Sequence, residues 1–222
     1  MHDLFATDAV ADREPELLAR AADAGVRVAR VTEKALAGLA DTVTPQGIAV
    51  VASVVDTPLA TALTGARLVA VLVGVADPGN AGTILRTADA AGADAVVLAG
   101  DTVDPHNPKC VRASMGSLFH VPLARAGDPA AVLDAATAAG LTVVAADGRG
   151  ESELGPDTDD LLARPTAWVL GSEAHGVPDA VAAHADHRVR IPLHGRAESL
   201  NLASAAAVCL YASARGLRGP TR

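Results

Sequence analysis

From Leu68 onward, short unbroken apolar runs alternate with helix-patterned stretches, and this alternation constrains the fold more than anything else in the chain. Leu68–Val75, Asp94–Gly100, Leu141–Asp147, Thr166–Gly171 and His187–Leu193 read as strands. Asn80–Gly92, Lys109–Gly116, Asp128–Gly140 and Pro178–Ala185 read as helices, and a last helix runs from about Leu200 to Arg215. Asn80 and Asp128 stand as N-caps, Gly92 as a stop, and Pro178 opens a first turn. Strands that are apolar throughout, rather than at every second position, are covered on both faces. The expected fold is therefore α/β, built on a mainly parallel sheet.

Residues 1–54 form a smaller alternating unit, with helices at Glu14–Ala24 and Glu33–Leu39 and strands at Val26–Val31 and Gly47–Val54. Residues 55–66 carry Pro and Thr and read as a linker, which leaves 67–222 as the larger domain. A unit of about 50 residues buries little apolar surface by itself, so this one is expected to be partial or to lean on something else.

Composition narrows the choice. Half of the 222 residues are apolar and only 2% are aromatic, so the core must be a close packing of Ala, Val and Leu. No run approaches the roughly 18 apolar residues of a membrane span. The acidic N-terminus lacks the basic start of a secretory signal. Cys110 and Cys209 lie in apolar segments and read as buried thiols, which suits a reducing cytoplasm. His184 and His187 come closest to a metal-ligand spacing, but no Cys or carboxylate cluster accompanies them. The net charge of −8 counts against nucleic-acid binding, although a local basic patch can override it.

Three segments carry candidate chemistry. In Ala76–Gly92, Gly74 and Gly79 have the outer spacing of a P-loop, but Asn80 and Ala81 stand where Lys and Ser or Thr belong. A GxGxxG fingerprint is absent too. What remains is a Gly-lined loop, a polar Asn80, and Arg86 one and a half turns on. Helical side chains lean toward the N-terminus, so the Arg86 guanidinium can reach back toward the loop. A cap plus a solvated Arg is the plainer reading. In Trp168–Val177 a strand ends at Gly171, followed by Ser172 and Glu173, with Gly176 closing the turn. Ligands of open α/β sheets bind at such strand ends, though an ordinary turn is equally compatible. In Ile191–Tyr211 another strand gives way to a polar loop and then Ser199, Leu200 and Asn201 at a helix start. Ser199 is expected to cap that helix, and Leu200 between two polar residues suits contact with an adenine.

Taken together, N-A-G-T-I-L-R-T-A, L-G-S-E-x-x-G-V and I-P-L-x-G-x-x-x-S-L-N-L-A-S-A resemble the three ordered motifs of the SpoU family of RNA ribose methyltransferases, within the SPOUT superfamily. Val111–Leu123 is similar to that family as well, and the resemblance runs from about Leu68 to Arg215. Asp41–Ala52, which contains TPQGI, resembles the end of the small α/β RNA-binding domain that precedes the catalytic domain in many members.

The resemblance implies a SPOUT-like α/β domain with a C-terminal trefoil knot, which pattern reasoning would not propose. It implies S-adenosylmethionine as cofactor, held by backbone around Leu170, Gly171, Ile191, Leu193 and Leu200. Asn80, Arg86, Glu173, Ser199 and Asn201 would form the reacting side. The implied reaction is in-line attack of a ribose 2′-oxygen on a sulfonium methyl, for which no metal is needed. A guanidinium with a pKa above ~12 is a poor base, so Arg86 is expected to grip phosphate and stabilise a developing alkoxide. Asn80 and Ser199 would orient the hydroxyl, while Glu173 and Asn201 would hold Arg86 and the loops. TPQGI favours 23S ribosomal RNA as substrate over tRNA. A non-catalytic RNA-binding ribosome-assembly factor and a dinucleotide enzyme are the rival classes. Finally, Asn201–Arg215 carries no charge before Arg215, and small residues on several faces permit two close neighbours. A homodimer is therefore expected, against the alternative of a helix buried wholly in its own domain.

Overall fold

A computed structural model describes residues 1–40 and 44–218. It divides into two compact units, Met1–Val54 and Val55–Arg222. Asp41–Val43, which open the segment containing TPQGI, lie outside the described residues, as do the last four residues of the larger domain.

The first unit runs β1 (Asp3–Ala6), α1 (Asp8–Arg13), α2 (Pro15–Asp23), β2 (Arg27–Arg30), α3 (Glu33–Leu39) and β3 (Ile48–Val51). Among the described residues its sheet has the order β2-β1-β3, with β1 parallel to β2 and antiparallel to β3. Leu4 and Ala6 alternate with less buried neighbours and pack with Val10 and Val26. The first element expected in this unit was the helix from Glu14, yet the central strand lies ahead of that point. Four residues are too few to establish a period, so β1 left no pattern to read. Gly47 of TPQGI sits at φ +85°, and a side chain there would strike Val10 and the Thr7 hydroxyl. Its carbonyl accepts from the Thr7 N–H at 2.9 Å, which ties the start of β3 to the end of β1.

The second unit begins with α4 (Leu59–Leu63), β4 (Leu68–Val73), α5 (Pro78–Ala91), β5 (Ala95–Ala99), α6 (Pro108–Ala113), β6 (Leu123–Ala126), α7 (Pro129–Ala138) and β7 (Thr142–Ala146). It continues with β8 (Ser152–Glu153), α8 (Asp159–Leu162), β9 (Thr166–Leu170), α9 (Asp179–Ala182), β10 (His187–Arg190) and α10 (Leu202–Arg218). Among the described residues the sheet has seven strands in the order β6-β5-β4-β9-β7-β10-β8, and every pairing is parallel.

All six residues of β4 are buried, and successive side chains serve opposite faces. Leu68, Ala70 and Leu72 join the cluster containing Ile84 and Leu85 of α5 and Cys209 and Leu210 of α10. Val69, Val71 and Val73 join Leu63 of α4, Leu133 of α7 and Val181 of α9. The result is helix on both faces of a sheet, as the apolar runs require. Buried Trp168 of β9 donates from Nε1 to the Ser213 hydroxyl at 2.9 Å, which satisfies its polar edge and fastens α10 to the sheet.

Two local readings change. The stretch expected as a linker contains α4, with Ala62, Leu63 and Ala66 buried against the sheet. Three apolar residues spread over five positions give too weak a period to outweigh the neighbouring Pro and Thr. Asn80, expected as the cap of α5, is instead inside the helix. Asp77 is the cap, its carboxylate accepting from the Asn80 N–H at 2.8 Å, with Pro78 in the first turn.

Because every strand of the larger sheet is parallel, the loops after β4, β7, β9 and β10 all leave from one edge. That edge receives the three segments singled out by sequence.

Candidate active site

At that edge the segments meet through a directed chain of hydrogen bonds. The Asn80 Nδ2 donates to Glu173 Oε1 at 2.8 Å, and the Asn201 Nδ2 donates to Asn80 Oδ1 at 3.1 Å. The Asn201 Oδ1 then accepts from the N–H groups of Ala203 and Ser204 at 2.9 and 3.3 Å. A carboxylate only accepts, so Glu173 dictates which way the Asn80 amide points, and Asn80 dictates Asn201 in turn. The chain ends on N–H groups that α10 cannot satisfy internally. Asn201, not Ser199, is therefore the cap of α10.

Burial pushes the Glu173 carboxyl up, but the Asn80 amide and the backbone N–H groups of Glu173, Ala76 and Asp77 more than offset it. The net shift is downward, so Glu173 stays an anion among neutral donors. Nearby, Lys109 Nζ lies 2.9 Å from Asp77 Oδ2. That bond first, and the capping N–H of Asn80 second, lower the Asp77 pKa. Sequence reading missed Asp77 and Lys109. An Asp directly before a Pro at a helix start was the signal available for the first.

The turn after β9 is built on contact between backbones. Ser172 and Gly176 exchange N–H to carbonyl bonds of 3.0 and 2.9 Å, and the Ser172 hydroxyl accepts from the His175 N–H at 3.2 Å. A methyl group at Gly171 would run into the Gly176 carbonyl group and the Val177 nitrogen. Gly171 is thus required by the turn itself.

A cavity of about 450 Å³ lies beside this turn, bordered by Leu170, Gly171, Glu173, Ser199, Leu200 and Asn201. A second, of about 140 Å³, is bordered by Ile191, Leu193, Glu198, Ser199 and Leu200. Ser199 and Leu200 border both, as do Ala146 and Ala205. All five residues expected on the cofactor side are thereby gathered at two adjoining hollows, and three of the five expected reacting residues border the larger one. Asn80 reaches it through Glu173 and Asn201. Arg86 borders neither cavity; it is exposed and, among the described residues, its side chain makes no hydrogen bond or ion pair. Glu173 and Asn201 hold Asn80 and not Arg86, contrary to expectation. Among the described residues, no group of three His, Cys, Asp or Glu side chains is arranged to hold a metal ion.

Comparison with known proteins gives this geometry a family. Residues 67–211 match the profile of the SpoU rRNA Methylase family. The chain belongs to the SpoU family. Residues 1–56 of this SpoU protein match a second profile, RNA 2′-O ribose methyltransferase substrate binding. The 23S rRNA (guanosine(2553)-2′-O)-methyltransferase RlmP of Bacillus subtilis (strain 168) is 39% identical over 189 residues, covering 85% of this chain and 73% of that one. The AdoMet-bound rRNA methyltransferase from Sinorhizobium meliloti superposes with a TM-score of 0.79 at 34% identity, over 96% of this chain and 79% of that one. The SpoU methyltransferase AviRb from Streptomyces viridochromogenes, in complex with AdoMet, gives 0.80 at 32% identity, over 96% and 82%. In this SpoU chain the three motifs are the loop into α5, the turn after β9 and the loop into α10, and the Glu173–Asn80–Asn201 chain joins all three.

Proposed function

We propose that this protein transfers the methyl group of S-adenosylmethionine to a ribose 2′-hydroxyl of 23S ribosomal RNA. The observation that carries the reading is the hydrogen-bonded chain Glu173–Asn80–Asn201 at the rim of a cavity bordered by two of the three motifs. The names of the relatives supply the substrate class and the cofactor.

The hollows fit the cofactor in size, since sites for small molecules span about 300–1,000 Å³ and the larger measures about 450 Å³. Backbone at Leu170, Gly171, Ile191, Leu193 and Leu200 holds it, with Leu200 offering an apolar surface to the adenine. When bound, the cofactor supplies an electrophilic sulfonium methyl. The protein then has to position the ribose. Asn80 spends one N–H on Glu173 and one lone pair on Asn201, which leaves one of each for the ribose. Ser199, freed from capping, offers its hydroxyl to the same end. Arg86, without an internal partner among the described residues, is available to grip a phosphate and to stabilise the alkoxide as it forms. Glu173, held below the usual carboxylate range, serves as a fixed anion that orients Asn80.

Residues 1–54 serve as the RNA-recognition unit and 67–222 as the catalytic domain. Sheet order supports a trefoil knot in the latter, since β9 enters the sheet between β4 and β7, two strands that precede it in the chain. Exposed Val208 and Tyr211 on α10 support a homodimer across that helix. A ribosomal RNA substrate and two buried free thiols suit the cytoplasm.

Calorimetry with S-adenosylmethionine, with and without EDTA, tests the cofactor, and mapping 2′-O-methyl groups on unmodified 23S rRNA tests the reaction. Arg86→Ala is expected to abolish transfer while leaving cofactor affinity intact. A protein that binds NAD and not S-adenosylmethionine, or that methylates only tRNA, overturns the corresponding part.

A further inference from the structure

The long face of α5 that carries Arg86 is bordered by a segment the mechanism does not use. Gly82, Arg86 and Asp89 are spaced i, i+4 and i+7 and share one face of α5. At one end of that face, Gly82 abuts the Cys110 carbonyl, Ala113 and Ser114 of α6 so closely that a methyl group would not fit. At the other end, Asp89 Oδ2 lies 2.9 Å from His120 Nδ1, just beyond the 3₁₀ turn Ser117–Phe119. The segment from α6 to His120 therefore runs alongside Arg86.

Its own side chains carry no negative charge. Between Asp104 and Asp128 no acidic residue occurs, in a chain with 26 of them and a net charge of −8. Arg112 is exposed and, among the described residues, its side chain has no ion pair or hydrogen bond; Lys109 is 58% exposed beside Asp77. Met115 and Phe119 are 70% and 64% exposed, the two most exposed large apolar side chains of the chain's described residues. Met115 is also the one non-glycine among them at positive φ, +49°, a strained backbone held between the end of α6 and Gly116. Exposed cations interleaved with exposed apolar side chains fit a single-stranded nucleic acid, whose phosphates take the charges and whose bases take the flat apolar surface.

We propose that Lys109, Arg112, Met115 and Phe119 form a track for the single-stranded RNA flanking the target nucleotide, with Phe119 stacking on a base and Arg112 meeting a phosphate. This rests on the RNA methyltransferase reading. It adds where the substrate strand lies.

Binding and turnover of Phe119→Ala, Phe119→Trp and Arg112→Ala on unmodified 23S rRNA test it, with S-adenosylmethionine affinity and oligomeric mass measured alongside. Phe119→Ala should weaken RNA binding and raise KM roughly tenfold with kcat held within about twofold, and Phe119→Trp should restore both. Arg112→Ala should lower the slope of log affinity against log salt by about 1. Cofactor affinity and mass should not change in any variant. Unchanged RNA affinity in both alanine variants, with wild-type transfer intact, overturns the track and leaves the proposed function standing. A Phe119→Ala protein that falls to half the wild-type mass overturns it as well, in favour of a contact between subunits. If the wild type methylates no ribose, the function fails, yet variant-dependent loss of RNA binding would still support the track.

Discussion

The Asn80 side chain reaches across 93 residues of sequence to donate 2.8 Å to Glu173, and this bond joins the first methyltransferase motif to the second. Both residues are at the ends of parallel strands or just beyond them, so the sheet brings them together. Capping of α5 by Asp77 leaves the Asn80 Oδ1 free to accept from Asn201.

Removing that amide should be costly for catalysis and cheap for the cofactor. Asn80→Ala leaves Glu173 with backbone donors alone and takes the acceptor from Asn201. We expect kcat to fall about a hundredfold, with S-adenosylmethionine affinity changed less than about threefold. Asn80→Asp should do no better, because a carboxylate cannot donate to Glu173 at neutral pH. Near-normal turnover in either variant would remove Asn80 from the reacting side.

Glu173 sets an acid limit. Its folded pKa lies below the ordinary 4.5, since hydrogen bonds from Asn80 and the backbone outweigh the upward push of burial. A depressed carboxyl contributes stability that is fully present above its unfolded pKa and is lost as pH falls through the folded value. Urea unfolding of wild type and Glu173→Gln, followed from about pH 7 to about pH 3, should therefore show a constant difference that shrinks below 4.5. A difference that grows on acidification would reverse the assignment.

Gly171 should tolerate no side chain. Even Gly171→Ala places a methyl group in the Gly176–Val177 backbone, which cannot rotate away as a side chain would. We expect a loss of about 2 kcal/mol or more in denaturant unfolding, together with loss of S-adenosylmethionine binding. Gly127→Ala, where nothing lies within reach of the added methyl, is the control and should stay within about 0.5 kcal/mol of wild type. Equal stability of the two variants would refute the close approach.

Assembly can be tested on α10. Tyr211 is 53% exposed and Val208 41% on a helix whose other faces are buried. Light scattering should report about twice the 22.2 kDa chain mass. Tyr211→Glu should shift the protein toward the single-chain mass and lower activity. A wild type that is monomeric and fully active would refute the dimer.

Strands β4, β5 and β9 of the larger domain were legible in the sequence to within a few residues, because a strand buried on both faces must be apolar at almost every position. The unbroken runs Leu68–Val73, Ala95–Ala99 and Ala167–Leu170 meet that condition. The helix stop at Gly92, φ +69°, and the cap at Asp128 were legible for equally local reasons. Elements too short or too mixed to repeat, namely β1, β6, β8, α1, α4 and α8, were not.

Local chemistry also identified the polar residues of all three motifs, since loops rich in Gly, Asn and Ser at strand ends stand out against an apolar sequence. It could not assign their partners. Capping is decided by which side-chain oxygen lies nearest a few free N–H groups, and Asp77 and Asn201 won over Asn80 and Ser199 by fractions of a turn. Whether Glu173 holds Arg86 or Asn80 depends on which side of α5 faces the turn after β9. Sheet order and helix packing set that orientation, and both depend on contacts far apart in sequence, such as Leu68 with Thr166 and Asn80 with Glu173. The sequence by itself determined which residues could take part, and the tertiary structure decided which of them touch.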